Sequence, residues 1–184
     1  MRISKPLVIQ TASAIADDSG LNQVTLKNVA EKLGIRTPSL YNHIESLEEL
    51  LREVAHSGME SMNQSMIQAA IGKSGIDTIH AISWEYFSYV LHHPGVYETI
   101  QWATWHGNEK TSQIWNQYIS LLKTLILSCG FNESDVKEIT DLLTGILHGY
   151  TSLQLRNALE NPKAAKDNLR VTMETVLTGI QGRY

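Results

Sequence analysis

The chain has 184 residues, 42% of them hydrophobic, and a formal net charge of -4 at neutral pH. This size and apolar content allow one large domain or two small ones and exclude disorder over most of the length. No apolar run is long enough to span a membrane, and residues 1–10 lack the apolar segment of a signal peptide. We therefore expect a cytoplasmic protein that makes no membrane contact. The single cysteine excludes an intrachain disulfide.

The charges are unevenly divided along the chain. Residues 1–44 carry five basic and three acidic side chains, although the whole chain has 15 basic and 19 acidic ones. The N-terminal part is thus weakly positive and the remainder negative. This division would orient the N-terminal part toward a polyanion, but so small a positive charge is weak support for nucleic-acid binding.

Apolar residues recur at spacings of three and four along nearly the whole chain, and no segment alternates with a period of two. This pattern predicts an all-α protein of about nine helices. We expect the first near residues 5–19. A second should run from its N-cap Thr25 to Leu33, with Gly34 as its breaker, and a third should open at Thr37 as N-cap, followed by Pro38 at the first helical position.

A capping box formed by Ser46 and Glu49 predicts the start of a long fourth helix, which Gly72 and Gly75 would end. Its inner face is predicted to carry Leu47, Leu50, Leu51, Val54, Met59, Met62, Met66 and Ile67. A further helix is expected over residues 76–92. After a break at Pro94, another helix should run to about residue 105, and the next should cover residues 108–129. A helix capped by Ser134 would extend to about 160, and a last one would open at 161–162 and end near 179.

The segment between Thr25 and His43 has the spacing of a helix-turn-helix. Ala30 is small enough to let two helices cross closely, and Gly34 supplies the positive φ of the turn. Leu40 falls in the small shared core. We predict a DNA-binding domain over residues 1–50, followed by a helical body over residues 51–184.

Once the apolar residues are buried, polar side chains of the third helix and of the start of the second face outward. Tyr41 and His43 can donate hydrogen bonds to phosphate oxygens of DNA, and Thr25 and Lys27 can bind the flanking DNA backbone. Arg36, Ser39 and Asn42 have the chemistry to reach base edges in the major groove. The predicted DNA-binding residues are Thr25, Lys27, Arg36, Thr37, Ser39, Tyr41, Asn42 and His43.

The twenty residues 25–44, TLKNVAEKLGIRTPSLYNHI, resemble the DNA-binding domain of the TetR/AcrR family of bacterial regulators. The resemblance covers residues 5 to about 55. His43 stands where the family commonly has phenylalanine, as it does in a subset whose turn also reads Ser-Leu-Tyr-Asn-His. The resemblance implies a dimeric transcription regulator in which residues 51–184 form a helical effector-binding and dimerisation domain, with a small effector bound between its helices.

Nine of the thirteen aromatic residues, including all four tryptophans, fall between positions 84 and 118. Rings with polar tips around a space between helices could bind an aromatic or amphipathic molecule, whereas composition alone favours an ordinary aromatic core without a cavity. With the resemblance, we expect an effector pocket. The candidate lining residues, chosen for chemistry and position, are Trp84, Phe87, Trp102, Trp105, Tyr118 and His148.

Two broad apolar stripes near the C-terminus predict a four-helix seam across a two-fold axis. Residues 145–154, GILHGYTSLQ, resemble the His-Gly-containing dimerisation helix of a TetR-type C-terminal domain. The predicted dimer interface consists of Ile139, Leu143, Ile146, Gly149, Tyr150, Leu153, Met173, Val176, Leu177 and Ile180. A dimer would place two recognition helices about 34 Å apart, or a multiple of that, and so read a palindrome.

The sequence offers little support for an enzyme. It lacks a Gly-x-Ser-x-Gly turn, a Gly-rich phosphate loop and a His-x-x-x-His pair, so we expect no catalytic residues, no metal and no cofactor. The predicted function is a repressor that a small hydrophobic or aromatic effector releases from a palindromic operator in double-stranded DNA. A helical interaction adaptor, or a small-molecule-binding protein without DNA-binding function, remains the alternative, but neither explains the N-terminal motif.

Overall fold

The computed structural model describes residues 2–181, and within them the chain forms helices and no strand. The α-helices are α1 (Lys5–Ser19), α2 (Leu26–Leu33), α3 (Leu47–Ala70), α4 (Gly75–His92), α5 (Pro94–His106), α6 (Glu109–Ser128), α7 (Val136–Leu155) and α8 (Ala165–Gln181). Short 3₁₀ helices span Leu21–Gln23, Thr37–Asn42 and Pro162–Ala164. The all-α fold class is confirmed. In the described residues no helix is long and apolar enough to cross a membrane.

The described chain folds as two compact units, and neither is a continuous segment. The first unit comprises Met1–Ser61 and His92–Trp115, so α5 belongs with the N-terminal helices. The second comprises Met62–Leu91 and Asn116–Tyr184. The division into functional domains at residue 50 stays a prediction, because compactness does not itself assign a function.

Local side-chain caps set the helix boundaries at the N-terminal end. The Ser4 hydroxyl accepts a hydrogen bond from the Leu7 amide, and the Thr25 hydroxyl accepts one from the Asn28 amide at 3.1 Å. Gly34 ends α2 in the left-handed region with φ of 69°. The predicted bounds of the first two helices are therefore confirmed, since the residues that fixed them act through local chemistry.

The third helix differs from the prediction in type and in cap. It is the 3₁₀ segment Thr37–Asn42, called the recognition helix below, and Arg36 occupies the cap position predicted for Thr37. The Ser39 amide donates to the Arg36 carbonyl and the His43 amide to the Leu40 carbonyl, both three residues back. A segment this short gains few α-type bonds, and Pro38 has no amide hydrogen to contribute.

Three expectations for the later helices also need correction. Asp135, whose carboxylate accepts a hydrogen bond from Ser134, takes the cap position of α7 in place of Ser134. α7 ends at Leu155, because Asn157 turns left-handed with φ of 52° and the Ala158 amide closes the end on the Leu153 carbonyl. Ile67 is exposed rather than on the inner face of α3, because the buried stripe there follows Met62 and Met66.

The core of the first unit surrounds the crossing of α2 and the recognition helix. Val29, Ala30, Leu40 and Ile44 are almost completely buried there, together with Leu50 at the start of α3. Because Leu40 points inward, the side chains on either side of it point about 120° away on a 3₁₀ helix, so Tyr41 is exposed and Ser39 half-buried. The small core therefore decides which face of the recognition helix meets solvent.

We expect Leu40→Ala to lower the free energy of unfolding by about 2–5 kcal/mol, because it removes a fully buried side chain and leaves a cavity. The neighbouring Tyr41→Ala is the matched control and should change it by only about 0.5 kcal/mol. Urea unfolding followed by circular dichroism measures both. Equal effects of the two variants would contradict this packing.

Candidate functional site

The predicted DNA-binding residues lie on the recognition helix, immediately beside it, and at the start of α2. Tyr41 is 57% exposed although its neighbour Leu40 is fully buried. Arg36 and Asn42 are exposed, and Thr37, Ser39 and His43 are half-buried. Residues 2–50 are called the head below. The head presents hydroxyl, amide, phenol and imidazole groups from one short segment. These groups suit hydrogen bonding to phosphates and base edges.

Two cations of this surface are available to a ligand. Among residues 2–181, neither Lys27 nor Arg36 has a carboxylate partner, whereas Lys32 pairs with Asp18 at 3.2 Å. Both Lys27 and Arg36 are exposed. An unpaired cation binds a phosphate without first losing an ion pair, so these two side chains are the ones best placed to contact a polyanion.

An ion-pair cluster joins α1 to the start of α3. The Lys5 ammonium lies 2.8 Å from Glu49 and 2.9 Å from Glu53, while the Ser46 hydroxyl caps α3 by accepting from the Glu49 amide. The Glu49 carboxylate accepts in turn from the Glu45 backbone amide. That bond, and then the bond from Lys5, hold the pKa of Glu49 below its ordinary value. The Ser46 half of the predicted capping box is thus confirmed, whereas the Glu49 carboxylate bonds the amide of Glu45 in place of that of Ser46.

The second unit contains a row of three rings. The Trp84 centroid lies 5.5 Å from that of Phe87, which lies 5.7 Å from that of Tyr150. The Lys166 ammonium stands 4.8 Å above the Trp84 ring, within cation–π distance. A groove of about 200 Å³ opens beside Trp84, lined by His80, Ser83, Trp84, Lys166, Asp167, Leu169, Arg170 and Met173.

The six candidate effector residues are divided between the two compact units. Trp84 and Phe87 are neighbours in the second unit, but Trp102 and Trp105 belong to the first. Trp102 stacks on His106 with a centroid distance of 4.4 Å, and Trp105 is 88% exposed. In the second unit Tyr118 is buried and His148 is exposed. Closeness in sequence grouped these six residues, whereas the fold assigns them to both units.

Sequence reasoning missed the charged rim of the groove beside Trp84. His80 lies one helical turn before Trp84 on α4, and Lys166 and Arg170 are one turn apart on α8. The sequence shows that the residues within each pair are four apart, but nothing in it indicates that α4 and α8 meet. In the described part of the chain, no group of three or more metal-ligating side chains lies together.

The predicted dimer residues divide into two sets. Ile139, Leu143, Met173 and Leu177 are buried in the single chain, and the Tyr150 phenol donates to the Ala165 carbonyl at 3.2 Å. These five therefore serve the chain's own core, because α7 and α8 turn that stripe inward. Ile146, Gly149, Val176 and Ile180 are half-buried and Leu153 is 46% exposed, so this second set is accessible to a partner.

The outer face of α7 has a further apolar residue that the sequence did not single out. Leu142 is 40% exposed, and Leu142, Ile146, Gly149 and Leu153 succeed one another at intervals of four, three and four residues. Such spacing places them on one side of a helix. α7 is thus apolar on two sides, one turned to the core and one to solvent.

A helix-turn-helix head with unpaired cations, carried by a helical body, defines a DNA-binding transcription regulator. The family model described as "Tetracyclin repressor-like, C-terminal domain" matches residues 79–176, more than half of the chain. The chain belongs to this TetR family, whose members are transcriptional regulators. The predicted resemblance to the TetR family, including its C-terminal domain, is thereby confirmed.

Individual proteins resemble the chain over nearly its full length. The HTH-type transcriptional regulator YobS of Bacillus subtilis, itself uncharacterised, is 26% identical over 179 residues, which cover 97% of this chain and 93% of YobS. A Rhodococcus sp. RHA1 protein of unknown function has the same fold, with TM-score 0.84, 15% identity and coverage of 97% and 95%. A TetR protein of Acinetobacter baumannii, solved in complex with minocycline, matches with TM-score 0.73, 14% identity and coverage of 98% and 97%.

The Lys5 cluster predicts acid sensitivity of the first unit. Because the folded pKa of Glu49 lies below its ordinary 4.5, its contribution to stability is present above that pH and is lost as pH falls through the lower folded value. Glu49→Gln should therefore lower stability at neutral pH and flatten its decline in acid. Urea midpoints measured across the acid range test this. The exposed Glu31→Gln is the control and should keep the wild-type slope.

Proposed function

We propose that the chain is a homodimeric repressor that reads a palindromic operator with the recognition helices of its two heads, and that it catalyses no reaction. The observation that carries this proposal is the polar face beside buried Leu40, where Lys27 and Arg36 lack carboxylate partners within residues 2–181. Tyr41 and His43 would bind phosphates with Thr25, Thr37 and Lys27, while Arg36, Ser39 and Asn42 would reach bases.

The proposed dimer uses the outer faces of α7 and α8. Ile146, Gly149 and Leu153 would lie in the seam with Val176 and Ile180, and Leu142 extends the apolar stripe on α7. A half-exposed apolar stripe along a helix loses its contact with water when it packs on a second copy. The fully buried residues of the same helices would hold α7 and α8 in place within the second unit and would not contact the partner.

The proposed effector is a small hydrophobic or aromatic molecule that binds in the helical body. Trp84 and Phe87 are the predicted lining residues that lie together there, and the groove beside Trp84 has an apolar floor formed by Leu169 and Met173. A flat ring would stack on Trp84 in place of Lys166. Binding would favour a state whose heads are misplaced for the operator, which releases the DNA.

The test of DNA reading is a titration of a fragment that carries the promoter of the chain's own gene. We expect the dimer to bind it with an affinity that falls steeply with salt, because phosphate contacts release counterions. No binding at low salt by folded dimer would overturn the proposal.

The same fragment tests the recognition face. Tyr41→Ala should weaken binding by about tenfold while leaving the fold intact, since the Tyr41 side chain is 57% exposed. Tyr41→Phe removes only the hydroxyl and isolates its hydrogen bond to phosphate. An affinity of Tyr41→Ala within about twofold of wild type would show that the assigned face is wrong.

Leu153→Glu tests the seam. A carboxylate buried against a second copy without a partner is strongly unfavourable, so the variant should sediment as a monomer at micromolar concentration. Ile71→Glu is the matched control, because Ile71 is also exposed, at 64%, but lies outside the proposed seam. A Leu153→Glu variant that remains dimeric would show that the interface lies elsewhere.

A further inference from the structure

Asp17 occupies an unfavourable place in its own helix. It lies in the last turn of α1, which contains no basic residue and where the helix dipole disfavours a carboxylate. Its neighbour Asp18 is exposed and pairs with Lys32, whereas the Asp17 side chain is only 18% exposed. A half-buried carboxylate at the wrong end of a helix implies a compensating contact elsewhere.

That contact is the N-terminus of α5. One carboxylate oxygen of Asp17 accepts a hydrogen bond from the Val96 amide at 2.9 Å, and the other lies 2.9 Å from Nδ1 of His93. The residue at the cap position of α5, His93, makes no side-chain cap of its own. Asp17 therefore caps α5 from a different helix, at the end whose dipole favours a negative charge.

The backbones of α1 and α5 also approach so closely that only glycine fits. A Cβ at Gly95 would overlap the carbonyl group of Ala16. Because that group is backbone, it cannot rotate away as a side chain would. α5 is held from a second side by α3, where a Cβ at Gly58 would overlap the Val96 side chain. All of these contacts lie within the first compact unit.

We propose that Asp17 is a positioning residue that locks α5 onto the DNA-reading head, so that α5 and the recognition helix move together. The inference rests on the DNA-reading function proposed above and extends it. A displacement of the N-terminus of α5 would then be transmitted to α1, and through the core around Val8, Ala12 and Val29 to α2. The head would accordingly include residues far beyond position 50.

The test compares Asp17→Ala and Asp17→Asn with the adjacent control Asp18→Ala. Spin labels on Glu31→Cys and Thr104→Cys, both exposed positions, report the distance between α2 and α5 in a Cys129→Ser background diluted with unlabelled protein. We expect a narrow distance distribution in the wild type and in Asp18→Ala, and a broad one in Asp17→Ala. Asp17→Asn should be intermediate, because its amide oxygen still accepts from Val96.

Binding of the promoter fragment is measured on unlabelled variants well below their unfolding temperatures. Asp17→Ala should weaken it by about tenfold, since a hydrogen bond to a charged group is lost, with partial recovery in Asp17→Asn. Asp18→Ala should stay within about twofold of wild type. A mere loss of stability would leave the distance distribution of the folded protein unchanged.

The results separate this inference from the function on which it rests. A distribution in Asp17→Ala as narrow as in the wild type overturns the lock, and so does a broad distribution with unchanged affinity. If the wild type does not bind the fragment at all, the DNA-reading proposal fails. The distance distribution then decides by itself whether Asp17 holds α5 on the head.

Discussion

Burial of Leu40 fixes what the head presents to its surroundings. The recognition helix has only six residues, so one inward side chain determines the direction of all the others. Val29, Ala30 and Ile44 close around Leu40, and Tyr41, Asn42 and Arg36 are left facing solvent. The chemistry of DNA contact thus depends on a small apolar core and not on net charge.

The head and α5 share a second constraint, which is backbone contact. Gly95 lies against the carbonyl of Ala16, and the Asp17 carboxylate closes the N-terminus of α5. Backbone cannot adapt as side chains do, so this contact permits little sliding.

In the helical body, α7 and α8 contribute to the core of the second unit and also leave apolar residues at the surface. One stripe of α7 and α8 builds the core of the second unit, and the neighbouring stripe of α7 is left partly exposed. Sequence periodicity detects that both helices are broadly apolar, but it does not assign a stripe to a side. For that reason the predicted dimer residues mix core positions such as Leu143 with surface positions such as Leu153.

By itself the sequence determined the all-helical fold, the bounds of α1 and α2, the cap of α3 and the helix-turn-helix, because caps, glycine turns and three-to-four spacing act over a few residues. It did not determine the 3₁₀ form of the recognition helix or the end of α7 at Leu155. It also grouped Trp102 and Trp105 with Trp84, although the fold assigns them to different compact units. The Asp17 cap and the groove beside Trp84 join residues distant in the chain. Only tertiary structure decided these, because no local rule specifies which helices meet.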